Sequence, residues 1–283
     1  MIRIILACLA ALLAAGASAQ TVDGRLKRIL ESRTLQVAYR ADASPFSFVA
    51  NQEVSGFSID ICKYVAQSIA RQYKAQKIDI KWVPVTTQTR FDAVAKGQAD
   101  LECSSSTATL SRMKQVDFSS FIFIESTGLL VRTSSGIRSI ADLVGKSIGV
   151  VAGTTNERAV HRQAQRYGLN GKVVPFKTRD EGFAAVEDGK VDAFASDKLL
   201  LIGASAKARN AGALTMLQDD LSIEPYAIVL PRGDATLRLA VNTALSELYG
   251  SGEILAIFRR WFEDFGPPSP LLQSVFIFGA IPE

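Results

Sequence analysis

Residues 91–103, FDAVAKGQADLEC, and residues 183–195, FAAVEDGKVDAFA, carry one pattern twice: Phe, Ala-Val, Gly and Asp recur at the same spacing, 92 positions apart. Each copy reads as a short amphipathic helix stopped by glycine and followed by a buried strand. The surroundings repeat as well. Ahead of the first copy, LQVAY (35–39) and IDIKWV (78–83) read as strands. Between them an amphipathic helix is expected over 58–73, with Ile61, Tyr64, Val65 and Ile69 at helical spacing. Ahead of the second copy, KSIGVVAG (146–153) and KVVPF (172–176) read as strands around the helical stretch ERAVHRQAQRYG. Strand–helix–strand alternation in both halves predicts an α/β protein of two lobes, each a mostly parallel sheet flanked by helices.

TGLLVR (127–132) and YAIVLP (226–231) are apolar and extended, and are expected to be paired strands passing between the lobes as a hinge. After Pro231 the chain becomes helical in DATLRLAVNTALSELYG and SGEILAIFRRWFEDF, a portion expected to return to the first lobe. The predicted division is 20–129 for lobe 1, 130–230 for lobe 2 and 231–283 for the C-terminal return. The apolar ending SVFIFGAIPE is too short to span a bilayer and is expected to pack on the body.

The first residues, MIRIILACLAALLAAGASAQ, place Arg3 before an apolar run and Ala17-Ser18-Ala19, the layout of a secretory signal peptide over 1–19. Cleavage leaves about 264 residues, enough for two ordinary lobes, and implies an oxidising compartment. Cys62 and Cys103 then remain, either as a disulfide or as two buried thiols. The net charge of +4 and pI near 9 come from charges of both signs spread along the chain, which argues against nucleic acid as a partner. A single histidine, His161, and no clustered His, Asp, Glu or Cys ligands leave neither a metal site nor a histidine-based triad in view, and no cofactor is expected.

In open α/β sheets ligands bind beyond the carboxyl ends of strands. The repeat places Cys103, Ser104 and Ser105 there in the first lobe, and Ser196 and Asp197 in the second. ECSSSTATLSRMK (102–114) is dense in hydroxyls and holds Arg112, whose planar fork suits a carboxylate. Asp197 offers the opposite charge, so the pair fits an α-amino acid. GTTNE (153–157) places Thr154 and Thr155 at a helix start, where free N–H groups suit an anion. Arg40 follows the first strand and Arg90 precedes the first repeat. If both face the cavity with Arg112 and Asp197, the site carries +2, which calls for a ligand with a second carboxylate.

The chain resembles the periplasmic amino-acid-binding proteins that serve ABC importers, the family 3 solute-binding proteins. GFSIDICKYVA (56–66), ECSSSTATLSRMKQVDFS, VGKSIGVVAGTTNE (144–157), DGKVDAFASD (188–197) and GSGEILAIFRRWF carry the resemblance, in order, over nearly the whole mature chain. The glutamate/aspartate-binding members are the nearest in pattern. The resemblance implies a type II periplasmic binding protein fold with a two-strand hinge, and a role delivering an acidic amino acid to a membrane permease, as a monomer. It further implies Arg112 on the α-carboxylate, Asp197 on the α-ammonium, and Arg40 with Arg90 on the side-chain carboxylate, with Thr87, Ser105 and Thr107 answering the family's motifs as further ligand-binding residues. Thr154 and Thr155 then cap the ligand, and the fold brings Cys62 near Cys103. One departure stands out: where such proteins often place a histidine, KTRDEGF has Arg179, which could take that role or point into solvent.

Two other readings share the scaffold. A dehydratase or lyase acting on a small acid would need a carboxylate base in the cleft, and Glu102 and Glu157 are the candidates; strand alternation turns Glu102 away from Ser105. A ligand-sensing subunit would differ only in what it docks on.

Overall fold

The computed structural model describes residues 23–205, 208–210 and 212–282, so the signal-peptide reading of 1–19 lies outside the described residues. The first half runs α1 (Gly24–Ser32), β1 (Thr34–Arg40), β2 (Asp42–Ala43), β3 (Ser47–Ala50), β4 (Glu53–Ser55), α2 (Phe57–Gln72), β5 (Asp79–Val85), α3 (Arg90–Ala95) and β6 (Leu101–Glu102). A long strand, β7 (Val116–Arg132), leads into β8 (Ile148–Val151), α4 (Thr155–Tyr167), β9 (Val173–Phe176), α5 (Arg179–Glu187), β10 (Ala193–Asp197), α6 (Lys198–Ser205) and β11 (Leu214–Met216). The return is β12 (Ile223–Pro231), followed by α7 (Ala235–Gly250), α8 (Glu253–Phe262) and α9 (Pro270–Gly279).

Both copies of the repeated pattern fold alike. Helices α3 and α5 each give way to a glycine in left-handed backbone, Gly97 at φ 78° and Gly189 at φ 72°, before β6 and β10. A side chain with a Cβ is strained there, which is why both copies need glycine. Strand order is β5-β1-β6-β12-β7-β10-β8-β9, with β11 also on β7 and a separate β2-β3-β4 sheet. The β5–β1–β6 and β10–β8–β9 pairings are parallel, as the alternation predicted, and the central strands are antiparallel.

The hinge pairing differs from expectation. TGLLVR and YAIVLP are not each other's partners: 127–131 pairs with β10, whereas Tyr226 to Pro231 pair with the upstream part of β7, from Phe123 back to Val116. The two strands cross between the halves where Ile223, Glu224 and Pro225 face Ser126, Glu125 and Ile124. Both segments are apolar because each is buried inside a sheet.

Alternation along the strands distributes side chains to the two faces. Leu35, Val37, Ile228 and Leu230 join a cluster with Ile61, Val65 and Ile69 of α2, while Ala38, Ala227 and Val229 enter another with Val94. Leu237, Leu245, Phe258 and Phe262 of the return belong to the first cluster, so α7 and α8 pack against it. In the second half Leu129 and Val131 face one cluster and Leu130 the other. The Cys62–Cys103 disulfide ties α2 to the end of β6, which resolves the alternatives left open by the sequence. Helix α9 buries Leu272 and Phe276 but leaves Ile277 and Phe278 exposed, so the apolar ending packs by one face only. No described helix is long and apolar enough to cross a membrane.

Candidate functional site in the interlobe cleft

The carboxyl ends of β1, β6, β8 and β10 deliver Arg40, the hydroxyl row, Thr154 and Asp197 toward one region between the halves. Parallel pairing sets Ala38 beside Glu102, so Arg40 and the row beginning at Ser104 emerge from neighbouring strands. The row is then stitched to β12, as Ala227 N donates to Ser106 O at 3.1 Å and Ala108 N to Pro225 O at 2.8 Å. Most of its hydroxyls serve the fold. Ser104 donates to Glu102, Ser106 accepts from Arg90 Nε at 3.0 Å, and Thr109 accepts from Arg112 N at 3.2 Å. Ser105 differs: its hydroxyl is buried without a protein partner. Glu102 shares the Ser104 face, as alternation predicted.

Four guanidiniums converge here, all buried: Arg40, Arg90, Arg112 and Arg179. Arg90 and Arg112 both lie over the Phe91 ring, 4.4 and 4.8 Å from its centroid. Arg90 also donates through Nη1 to Thr87 O, and Arg112 through Nη1 to Thr107 O at 2.8 Å. Neither has a carboxylate within ion-pair distance among the described residues. Burial, with repulsion from Arg40 and Arg112, lowers Arg90 to about 9, and burial with Arg158 lowers Arg112 to about 10. Both stay protonated at neutral pH; burial is the main cause of each shift, and nearby carboxylates offset it only in part.

Asp197 shows the mirror image. Burial and the nearby Glu224 raise its pKa, although Tyr226 Oη donates to it at 2.5 Å and Asn156 Nδ2 at 2.6 Å. These two donors fix the carboxylate's orientation. Glu224 accepts from Thr107 at 2.7 Å and from Thr127 at 3.2 Å. The hydroxyl row of the first half therefore meets an acid, Glu224, at the crossing, and Thr107 lies 3.4 Å from Thr155 across the cleft.

Several expectations change in detail. Arg40 holds Asp42 in a two-point ion pair, Nε to Oδ1 at 2.9 Å and Nη2 to Oδ2 at 2.8 Å. Arg179 does not point into solvent; it donates to Asp42 O at 2.5 Å and to Ser196 Oγ at 3.1 Å. The charge count of +2 is corrected accordingly, because Asp42 and Glu224 were left out and Arg179 joins the cations. With Glu102, four carboxylates stand among four guanidiniums. Thr154 spends its hydroxyl on its own helix, accepting from Glu157 N at 3.2 Å and donating to Val151 O at 2.7 Å. What remains for a ligand at this helix start is N–H groups and the Thr155 hydroxyl. Glu157 accepts from Gly153 N at 2.8 Å and so caps the same helix, while His161 is exposed.

The residues missed were Asp42, Asn156, Thr127, Glu224 and Tyr226. Asp42 was within reach, since it stands two positions past Arg40 on the same face of an extended chain. Asn156 lies inside GTTNE itself. Glu224 and Tyr226 carried no local signal, because their contact with Asp197 depends on the strand crossing.

A two-lobed α/β molecule whose strand ends gather uncompensated charges of both signs in an interlobe cleft is built as a receptor for a small zwitterion. The chain belongs to the bacterial extracellular solute-binding proteins, family 3, whose profile matches residues 35–264. It is 33% identical over 267 residues to the L-glutamate/L-aspartate-binding protein of Pseudomonas aeruginosa, covering 94% of this chain and 88% of that one. It is 29% identical to the glutamate/aspartate import solute-binding protein of Escherichia coli, again covering 94% and 88%. Among solved structures, an ancestral arginine-binding protein bound to arginine is 31% identical with a TM-score of 0.72, covering 81% of this chain and 98% of that one. The fold is thus that of the type II periplasmic amino-acid-binding proteins, within which ligand charge varies.

Proposed function

We propose that this protein is a periplasmic receptor that binds an acidic L-amino acid, glutamate or aspartate, closes its lobes around it and delivers it to the permease of an ABC importer, without chemical conversion. One observation carries this reading: among the described residues, Arg90 and Arg112 are buried without an ion-paired carboxylate in the same cleft where Asp197 is buried without an ion-paired cation. A ligand with an ammonium and two carboxylates answers both. Arg112, Ser105, Thr107 and the N–H groups at Thr154 and Thr155 take the α-carboxylate. Asp197, with Glu224 beside it, takes the ammonium. Arg90, with Thr87 and the free edge of Arg40, takes the distal carboxylate. The names of the P. aeruginosa and E. coli relatives support the acidic choice, whereas the arginine-bound neighbour marks the alternative.

Calorimetric titration of the mature protein, unfolded and refolded to strip carried-over ligand, tests the assignment with L-glutamate, L-aspartate, L-glutamine and succinate. Micromolar or tighter binding of an acidic amino acid is expected, with glutamine and succinate weak. Arg90→Met is expected to weaken glutamate by about two to three decades, the scale of a buried charge pair broken on one side, and glutamine far less. Equal losses for the two ligands would remove Arg90 from the distal carboxylate.

A further inference from the structure

The last helix presents an apolar face that nothing in the described chain covers. α9 is well seated on its inner side: Leu272 and Phe276 are buried, and the Phe276 ring lies 5.3 Å from that of Tyr249. Gly279 lets the helix ride directly on Tyr249, because an added Cβ would stand 2.6 Å from that ring. Just past the helix, Ser246 Oγ donates to Ile281 O at 2.7 Å. On the outer side Ile277, Phe278 and Ile281 are 69%, 82% and 60% exposed. These side chains are carried by a packed helix and its anchored end, so their exposure is a property of the fold.

Between α8 and α9 this face opens into a groove of about 800 Å³, walled by Ile254, Leu255, Phe258, Phe276, Ile277 and Ala280. Its rim carries Arg259 and Glu263, both exposed and four positions apart. Neither enters a side-chain ion pair or hydrogen bond among the described residues, whereas their neighbour Arg260 is held by Asp60 at 2.8 Å. An arginine four residues ahead of a glutamate is the weaker order for a pair on one helix. Both charges are therefore open to a partner. α9 lies beyond residues 35–264, which the family profile matches, and none of the candidate site residues is on this face.

We propose that the α8–α9 face is an isologous interface on which a second copy of this chain docks, closing the groove and setting Arg259 of each copy against Glu263 of the other. An apolar patch rimmed by polar residues is the usual mark of a contact surface, and charge complementarity selects the occupant. A two-fold axis brings one patch against itself in antiparallel sense, so two unlike charges on the patch make two cross-pairs. An anionic bilayer fits worse, because Glu253, Glu263 and Asp264 are exposed on the same segment and such a surface attracts a basic rim. The interface departs from the monomer that the family resemblance implies. It stands independently of the ligand that the cleft takes.

Sedimentation velocity of the mature protein over a micromolar dilution series, without ligand, tests the interface. Wild type is expected to sediment as a dimer that dissociates on dilution, and Ile277→Asp as a monomer throughout. Arg259→Glu and Glu263→Arg each set like charges together at both cross-pairs, and each is expected to weaken the dimer about tenfold or more. Mixing these two variants pairs unlike charges again, so the mixed dimer is expected to regain wild-type affinity. Both change only exposed side chains, which keeps the test decisive if Ile277→Asp fails to fold. Wild-type protein that stays monomeric over the series would overturn the interface. So would a dimer indifferent to all three substitutions, or a mixture no tighter than either charge variant alone. Monomeric protein that cosediments with phosphatidylglycerol vesicles would overturn it too, and assign the face to lipid. None of these readouts uses an amino acid, so failure of the dimer leaves the receptor reading to its own titration.

Discussion

Arg90 is 2% exposed, donates to Ser106 and Thr87, and rests on Phe91, yet Arg40, Arg112 and Arg179 all repel it. Holding that charge in place costs folding free energy, a trade common at functional residues and one that the proposed anion-binding role of Arg90 would explain. An apolar side chain of similar length in place of a buried charge that has no ion-pair partner relieves its desolvation cost. Arg90→Met is therefore expected to raise the stability of the ligand-free protein by about 1–2 kcal/mol, measured by urea denaturation, while it loses glutamate. A lower stability would show that the bonds to Ser106 and Thr87 outweigh the desolvation. Arg40, Arg90, Arg112 and Asp197 were all legible as candidates because they follow or flank strand ends. Asp42's claim on Arg40 shows only when side chains are assigned to the faces of the extended chain, where positions 40 and 42 fall together.

At the scale of elements, β7 and β12 meet where Glu125 and Glu224 are paired across the crossing. Glu125 is 9% exposed with Oε2 unpartnered, and burial with repulsion from Asp197 pushes its carboxyl up to about 8. The native state therefore holds a proton that the unfolded chain releases above its ordinary value of 4.5. Stability is expected to be greatest at low pH within this window, to fall as pH rises toward about 8, and to level off above. Denaturation midpoints at pH 6 and 8.5 should differ in that sense, and Glu125→Gln should flatten the difference. Asp197, raised for similar reasons, adds a slope of the same sign that the substitution leaves behind. A wild-type stability that rises across this interval would refute the assignment. The strands and helices themselves were readable from period and glycine punctuation, whereas the partner of each apolar strand was not. TGLLVR and YAIVLP look alike because both are buried, and burial does not name a neighbour.

Across the whole molecule the first half and the C-terminal return share one apolar cluster, the second half has clusters of its own, and the candidate site residues come from both halves. A ligand held by both halves binds only the folded, closed chain, so it stabilises by mass action. L-glutamate at 100 times its dissociation constant is expected to add about 2.7 kcal/mol. That corresponds to a rise in melting temperature of roughly 5–10 °C for a chain of this size. Calorimetry with L-glutamate and L-arginine in parallel checks it; an equal rise with arginine would sink the acidic preference. The sequence by itself determined the two-lobed α/β architecture and the strand ends that carry the candidate site, because periodicity, glycine stops and an internal repeat are local properties of the chain. Only the tertiary structure decided which strands cross, that Tyr226 and Asn156 orient Asp197, and that Arg179 reaches Asp42 rather than solvent. Those outcomes depend on contacts between residues up to 137 positions apart, where packing and charge choose among partners that no local pattern distinguishes.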